Sequence, residues 1–419
     1  MRVAHLITRM IIGGAQENTL LNCLDLVAQY GDEVLLVTGP SLGPEGDLLA
    51  QGRPASGTIG EGRAGEEGQA GAIGGFPVQR LRFAHLGREV ELPIVTVRSL
   101  VREIRPATDW RASIDLKQVL RAYQPDVVHT HSAKAGILGR LAAWSLNVPA
   151  IVHTVHGAPF GPFEPWPRRT FYQWCERYAA SRCHHLISVA DAMTELMAAA
   201  RIAPREKFTT IYSGMSVEPF LAADEIRETT RRELGFAREH IVVGTIARLF
   251  HLKGHEDIVT AAMYLDRDPN LRFLFVGDGI LRDKLQKMID DASLTDRFRF
   301  TGLVPPERIP ALVGAMDILV HASRREGLAR ALPQALIAGK PVVSYDVDGA
   351  REVCIDNETG FLVRSGHFKD LCQPLLTLAH DAALRERIGQ EGRRRFTDQF
   401  RHETMTRRIR QLYERLLAT

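Results

Sequence analysis

Short apolar runs recur along the chain, separated by helix-length stretches whose apolar residues return every three or four positions. This alternation predicts parallel strands joined by crossover helices. In the first half the runs are VAHLIT, EVLLVTG, DVVHTH, AIVHTVHG, HLISVA and FTTIYSG. In the second half they are IVVGTIARL, RFLFVGDG, FRFTGL, ILVHAS, PVVSYD and GFLV. Their apolar character is nearly continuous, which predicts burial on both faces. Between them the pattern predicts helices over Ala133–Leu146, Glu256–Tyr264 and Ile280–Ala292. The expected class is α/β, with two doubly wound domains.

Turn residues in SGMSVEPF, residues 213–220, follow the last strand of the first set and precede a charged helix over Asp224–Leu234. The seam therefore falls there, giving domains of residues 1–215 and 216–398 and a closing segment 399–419, with a helix over Thr404–Leu417. Ligands of open parallel sheets bind beyond the carboxyl ends of the strands. One segment departs from the pattern. Gly43 to Gly75 holds eleven glycines and almost no apolar periodicity. It buries too little surface to offset its ordering entropy, so residues 43–76 are expected to be a disordered surface insertion.

The chemistry concentrates at the ends of these strands. Ser323 to Val343 reads SRREGLARALPQALIAGKPVV: a strand end, an acidic turn at Glu326-Gly327, a short helix closing at Gly339, then a buried strand. A carboxylate beside glycine amides suits a ligand bearing both hydroxyls and phosphate; a helix N-terminal acid is the plainer reading. Pro333 is tolerated if the helix starts near Ala331, because first-turn amides lack intrahelical partners. Arg248 and Lys253, in ARLFHLKGHED, can neutralise a diphosphate leaving group, or form an ordinary solvated basic loop. Gly13 and Gly14 open a helix after the first strand, as a phosphate-proximal loop or simply a turn. His156 ends AIVHTVHG, where an imidazole can bond a sugar hydroxyl or exchange a proton, or serve structure alone. His129, His131 and Lys134 sit at the neighbouring strand end as candidate contacts to an acceptor or phosphate.

The signature from Glu326 onward resembles that of the retaining family 4 glycosyltransferases: Glu, seven residues, a second Glu, then an Ala-x-Gly-x-Pro-Val-Val exit. Here Gln334 stands at the second Glu. The resemblance extends in order through Gly13-Gly14, His156, Arg248 with Lys253, the 213–220 seam and Glu326. It implies the GT-B fold, two Rossmann-like domains facing a cleft, with the donor mostly on the second and the last helix crossing back to the first. It implies metal-independent transfer of a sugar, with retention, from a nucleoside-diphosphate sugar, UDP favoured, to a saccharide or lipid-linked acceptor. No resident cofactor is expected. It assigns Arg248 and Lys253 to the donor diphosphate, Glu326 with the backbone of Gly327 and Leu328 to the donor sugar, Gln334 to the ribose and Gly14 to the first-domain loop. His156 then lies by the reacting sugar. A catalytically silent glycosyltransferase-like binding protein, suggested by Gln334, and a nucleotide-sugar epimerase on the same fold are the alternative readings.

Composition narrows the setting. The 419 residues suffice for two or three domains, and 45% hydrophobic with 25% charged residues is ordinary for a globular protein. A net charge of +3, with no basic motif interleaved with stacking aromatics, gives no case for nucleic acid. Five cysteines, Cys23, Cys175, Cys183, Cys354 and Cys372, form no CxxC pair, which points to a reducing, cytoplasmic setting and no structural zinc. His184-His185 after Cys183 matches no common metal spacing. Arg2 leads straight into a strand, so no secretory leader is expected, and no apolar run reaches the roughly 18 residues of a membrane span. Phe160 to Tyr178 mixes aromatics with Arg168, Arg169 and Arg177, which suits either peripheral contact with a membrane or a packed helix.

Overall fold

The computed structural model describes residues 1–41, 46–55, 71–161, 164–265 and 268–418. The chain divides into two compact units, Met1–Met215 with His402–Thr419, and Ser216–Arg401.

The first unit opens with β1 (Arg2–Ile7), α1 (Gly14–Tyr30) and β2 (Glu33–Thr38). Next come β3 (Arg53–Pro54), β4 (Ala72–Ile73), β5 (Phe76–His85) and β6 (Arg88–Thr96). It continues through α2 (Pro106–Tyr123), β7 (Val127–His131), α3 (Ala133–Ser145), β8 (Ala150–Val155), α4 (Trp166–Ala180), β9 (His185–Ser188), α5 (Asp191–Ala199) and β10 (Phe208–Thr210). Among the described residues the sheet runs β10-β9-β8-β7-β1-β2-β6-β5-β3, with β4 on β5. It is parallel from β10 to β6 and antiparallel at β5, β3 and β4. Every residue of β7 and β8 is buried, as their continuous apolar character predicts.

The β5–β6 hairpin has no counterpart among the expected strands. Its inward residues, Val78, Leu81 and Phe83 against Val90, Leu92 and Ile94, are separated by residues that are exposed or half-buried, so it lacks the continuous run of its neighbours. Leu86 and Gly87 both have positive φ, 50° and 73°, as a two-residue type I′ turn requires. The hairpin also corrects the expected disorder of residues 43–76. Asp47 accepts from the Leu49 amide at 3.0 Å, starting a short 3₁₀ turn that buries Leu48 and Leu49 in the core with Leu81 and Phe83. Arg53–Pro54 and Ala72–Ile73 pair with β5. The ends of the insertion thus carry enough apolar surface to order them; residues 42–45 and 56–70 lie outside the described residues.

The second unit comprises α6 (Glu218–Leu221), α7 (Arg227–Glu233), β11 (Ile241–Ile246), α8 (His255–Tyr264), β12 (Leu271–Val276), α9 (Arg282–Asp291) and β13 (Phe298–Phe300). It continues with α10 (Ile309–Ala315), β14 (Ile318–His321), α11 (Ala331–Ile337), β15 (Val342–Tyr345), β16 (Gly360–Val363), α12 (Lys369–His380) and α13 (Ala382–Phe396). Its described strands form one parallel sheet, β13-β12-β11-β14-β15-β16. Pro333 is the third residue of α11, where its missing N–H costs no helical bond.

The last helix, α14 (His402–Leu417), packs on α1 in the first unit. Polar groups set its register. Asn22 Nδ2 donates to Thr406 Oγ1 at 3.0 Å, and Arg410 pairs with Asp32 at 3.0 Å. At the centre, the fully buried Asp25 carboxylate receives His85 Nε2 at 2.7 Å, His402 Nδ1 at 2.8 Å and Thr406 Oγ1 at 2.8 Å. Gly214 passes so close that a Cβ would stand 2.5 Å from His402 Cα. Replacing Asp25 with Ala strands three buried polar groups and is expected to lower unfolding free energy by about 3 kcal/mol or more. Urea denaturation of Asp25→Ala checks this; a change below about 1 kcal/mol would show that the cluster does not anchor α14.

Candidate active site

The second unit brings three of the sequence-identified side chains to neighbouring loops. β11 and β14 are adjacent, and the strand order reverses between them, so the loops leaving their carboxyl ends diverge and leave a crevice. Arg248 and Lys253 follow β11; Glu326, Gly327 and Leu328 follow β14. Gly254 lets the two loops touch. Its φ is 73°, and a Cβ there would stand 1.9 Å from the Ala322 carbonyl oxygen, so only glycine fits. The Arg324 amide and Ser323 hydroxyl both donate to the Leu252 carbonyl, at 2.7 and 3.1 Å.

Lys253 Nζ is thereby paired with Glu326 Oε1, and His321 Nε2 lies 3.5 Å from the same oxygen. The Glu326 amide donates to the Asp348 carboxylate at 2.7 Å, and the Gly349 amide to the Gly327 carbonyl at 3.0 Å. Burial alone raises the Glu326 carboxyl, but His321 and Lys253 outweigh it and hold it down at about 2. Glu326 is thus an ionised acceptor, suited to sugar hydroxyls. Arg248 is exposed, with its guanidinium 5.0 Å over the Phe250 ring, and no carboxylate pairs with it among the described residues. Gln334 stands at the centre of α11, partly exposed, its side-chain amide making no hydrogen bond among the described residues.

In the first unit the candidates gather at the carboxyl ends of β1, β7 and β8, which are neighbours in the sheet. Gly13 is extended at φ 178°, and Gly14 begins α1, so both stand where first-turn amides open outward. Thr8 Oγ1 bonds Ser132 Oγ at 2.7 Å and accepts from the Ala135 amide at 3.1 Å, tying the loop after β1 to the start of α3. His156 is half-buried beside a cavity of about 50 Å³. Its Nε2 lies 3.1 Å from His131 Nδ1, and His131 Nε2 lies 3.0 Å from His5 Nδ1. His5 is fully buried, and its Nε2 has no hydrogen-bond partner among the described residues. An orphaned buried N–H is rarer than an orphaned acceptor, so that atom carries the lone pair. The chain is then ordered: His5 Nδ1–H donates to His131, and His131 Nδ1–H donates to His156 Nε2.

A larger cavity of about 870 Å³ opens near these loops. Thr8, Arg9, Arg102, Lys134 and Arg168 contribute polar groups, while Ile104, Ile137, Leu138 and Phe171 form apolar wall. Lys134 is paired with Asp109 at 2.5 Å there.

Residues 226–395 match the family model described as glycosyl transferases group 1, and residues 13–214 match that of the glycosyl transferase 4-like domain. The Escherichia coli UDP-Gal:α-D-GlcNAc-diphosphoundecaprenol α-1,3-galactosyltransferase is 30% identical over 292 residues, 69% of this chain and 75% of its own. The chain belongs to the group 1 glycosyltransferases. Among other relatives, the 2-deoxystreptamine N-acetyl-D-glucosaminyltransferase of Streptomyces fradiae is 30% identical over 265 residues, 59% of this chain and 61% of its own. The capsular polysaccharide biosynthesis glycosyltransferase CapM of Staphylococcus aureus is 22% identical over 339 residues, 79% of this chain and 87% of its own. In fold, the chain is similar to Anabaena HepE solved with UDP, at TM-score 0.76, 20% identity and coverage of 99% and 100%. A Rickettsia africae glycosyltransferase gives TM-score 0.76, 16% identity and coverage of 99% and 98%. The fold of this glycosyltransferase is GT-B.

Two sequence expectations need correction. His129 is fully buried, with Nδ1 bonded to the Tyr413 hydroxyl and Nε2 to Thr154 Oγ1 at 2.7 Å, so it faces no ligand. His131 is 1% exposed with both nitrogens engaged, so an acceptor contact is closed to it, and it supports His156 instead. Both lie on a strand buried on both faces, where a side chain near the end still points into the core. Sequence reading passed over His5 and His321. The available signal was a lone histidine inside an apolar strand, VAHLIT and ILVHAS. Among the described residues, two clusters bring three side chains able to ligate a metal within 4.8 Å of one another, His5-His129-His131 and Asp25-His85-His402. In both, the side chains bond one another or nearby hydroxyls, which gives each a structural role without an ion.

The buried histidines make stability depend on pH. Burial lowers His5 to about 3, lowers His129, His131 and His153 well below the usual value, and takes His185 and His255 down to about 4. Below about pH 6.5 the unfolded chain binds protons that the folded one refuses, so stability is fullest above that pH and falls towards pH 4, by up to about 1.4 kcal/mol per pH unit for each histidine. The thermal midpoint is expected to drop steadily as pH is lowered from about 7 to about 5. A flat profile across that interval would mean these imidazoles are not held neutral.

Proposed function

We propose that this enzyme moves a sugar, with retention of anomeric configuration and without a metal ion, from a nucleoside-diphosphate sugar to a saccharide or lipid-linked acceptor. The observation that carries the reading is the loop pair of the second unit: an ionised, hydroxyl-accepting Glu326 beside Lys253, with Arg248 in the same loop lacking an acidic partner among the described residues. A diphosphate needs cations where its charge develops, and Arg248, Lys253 and the amides of Gly327 and Leu328 supply them. Residues 216–398 take the donor role, residues 1–215 the acceptor role, and residues 399–419 belong with the first domain. UDP is favoured as the nucleotide, because the Escherichia coli relative is named for UDP-Gal and Anabaena HepE was solved with UDP. The lipid-linked option draws on the diphosphoundecaprenol in that relative's name.

In front-face displacement, the bond from the anomeric carbon to the diphosphate oxygen breaks while the acceptor oxygen bonds the same face. The acceptor proton passes to the departing diphosphate, whose charge Arg248 and Lys253 offset. Glu326 holds donor-sugar hydroxyls, and His156 lies by the reacting sugar. Gln334 offers the ribose a neutral carbonyl; the lost charge assistance is on the order of 1 kcal/mol, a five- to tenfold weaker donor. Gly13 and Gly14 present α1 amides towards phosphate. Lys134 and the 870 Å³ cavity are assigned to the acceptor. No helix among the described residues is long and apolar enough to cross a membrane, so the proposed membrane contact is peripheral, at the cytoplasmic face.

Arg248→Ala and Lys253→Ala are each expected to lower transfer by about 10²-fold, with an unchanged thermal midpoint for Arg248→Ala. The assay uses a panel of UDP-sugars with extracted lipid-linked saccharides, and the anomeric proton coupling of the product reads the stereochemistry. Near wild-type turnover in both variants, or an inverted product, contradicts the mechanism.

A further inference from the structure

The loop that carries Glu326 is also held from a second side, by the turn after β15. Asp348 opens that turn, a short 3₁₀ segment over Asp348–Glu352, with φ at 45°. Left-handed backbone is uncommon outside glycine and costs least for aspartate and asparagine, whose short polar side chains bond locally. The Asp348 carboxylate accepts from the Glu326 amide at 2.7 Å, and the next residue, Gly349, donates its amide to the Gly327 carbonyl at 3.0 Å. Two adjacent residues thus bracket Glu326-Gly327, one engaging its N–H and the other its carbonyl.

The bracket decides where the neighbouring amides point. In a trans peptide the carbonyl and the following N–H lie on opposite sides, and every described peptide here is trans. The Glu326 amide turns to Asp348, and the Arg325 carbonyl turns back to its own loop, 3.2 Å from Ser323 Oγ. The Gly327 carbonyl turns to Gly349, so the Leu328 N–H is aimed away from the β15 turn. Neither the Gly327 nor the Leu328 amide donates to any group among the described residues, and both residues are only half-buried. The arrangement carries an electrostatic cost. Burial pushes the Asp348 carboxyl above its usual range; the Glu326 amide opposes this, and the Glu326 charge adds to it. The charge-assisted bond from the amide offsets that cost.

We propose that Asp348 is a positioning residue: with the Gly349 amide it fixes the Glu326-Gly327 segment so that the Gly327 and Leu328 amides stay open to the donor. The inference rests on the donor reading above and adds to it a residue that acts through the loop. Asp348 also takes the Glu326 amide out of the set that faces the ligand, which leaves two consecutive donors.

The test compares Asp348→Gly and Asp348→Asn with the wild-type chain. Glycine takes the positive φ without strain but has no acceptor; asparagine tolerates it and keeps a carbonyl for the Glu326 amide. Asp348→Gly is expected to lower kcat/KM for the UDP-sugar about tenfold, with KM for the acceptor unchanged. Asp348→Asn should recover to within about threefold of wild type. Hydrogen exchange over residues 324–332 should quicken in the Gly variant and return in the Asn variant, with the rest of the second unit and the thermal midpoint unchanged. Wild-type kcat/KM in Asp348→Gly overturns the proposal. So does a loss that Asp348→Asn fails to recover, or faster exchange spread through the second unit. If no nucleotide sugar is turned over by the wild type or stabilises it, the donor reading fails. Exchange over residues 324–332 then decides: unchanged protection in Asp348→Gly overturns the bracket, and faster exchange that Asp348→Asn restores upholds it.

Discussion

An ionised carboxylate at the end of a buried strand persists only beside compensating charge, and the site of the second unit is organised around that constraint. Glu326 stays ionised because Lys253 reaches it and His321 stands close behind. Lys253 reaches it because Gly254 lets the loop after β11 press against the end of β14, where any Cβ would collide with the Ala322 carbonyl. One ion pair therefore fixes both loops and leaves Glu326 as an acceptor. Arg248, which is not drawn into the pair, remains available for an incoming anion. Under the proposed function, a diphosphate brought there would meet cations already placed, with little reorganisation left for the moment of reaction.

The first unit meets its constraint differently, by neutrality. Four buried histidines, His5, His129, His131 and His153, are held uncharged on the neighbouring strands β1, β7 and β8 and bonded to one another or to hydroxyls. Such a network specifies proton positions without placing a charge in the core. Its outermost member is His156, half-buried and 3.1 Å from His131. The same core receives Tyr413 from α14, which couples the final helix to the histidine cluster through His129.

The sheet strands that were legible in the sequence are those buried on both faces, because their apolar runs are unbroken. VAHLIT, DVVHTH, AIVHTVHG and ILVHAS all fall on strands, and α3, α8 and α9 begin and end within two residues of their expected limits. The β5–β6 hairpin escaped because it is half-exposed, and its alternation is interrupted where Gln79 and Arg80 both face outward. The ends of the glycine-rich segment escaped for a related reason: Leu48 and Leu49 find their partners only once that hairpin exists. Glu326, Lys253, Arg248 and His156 stand just beyond strand carboxyl ends, where their places in the sequence put them. The burial of His131 was not legible, since a strand end alone does not say which face its last residue takes. Nor did spacing along the chain reveal that Lys253 and Glu326, seventy-three residues apart, are partners.

Cations of the protein, in place of a metal ion, are proposed to hold a nucleoside diphosphate beside Glu326. The most direct measurement is a thermal-shift panel of UDP, GDP and ADP with the ligand-free enzyme in the presence of a chelator. One of the three is expected to raise the midpoint, and an added divalent cation is expected not to enlarge the shift. No shift from any of them, or a shift that appears only with the cation, would contradict the proposal.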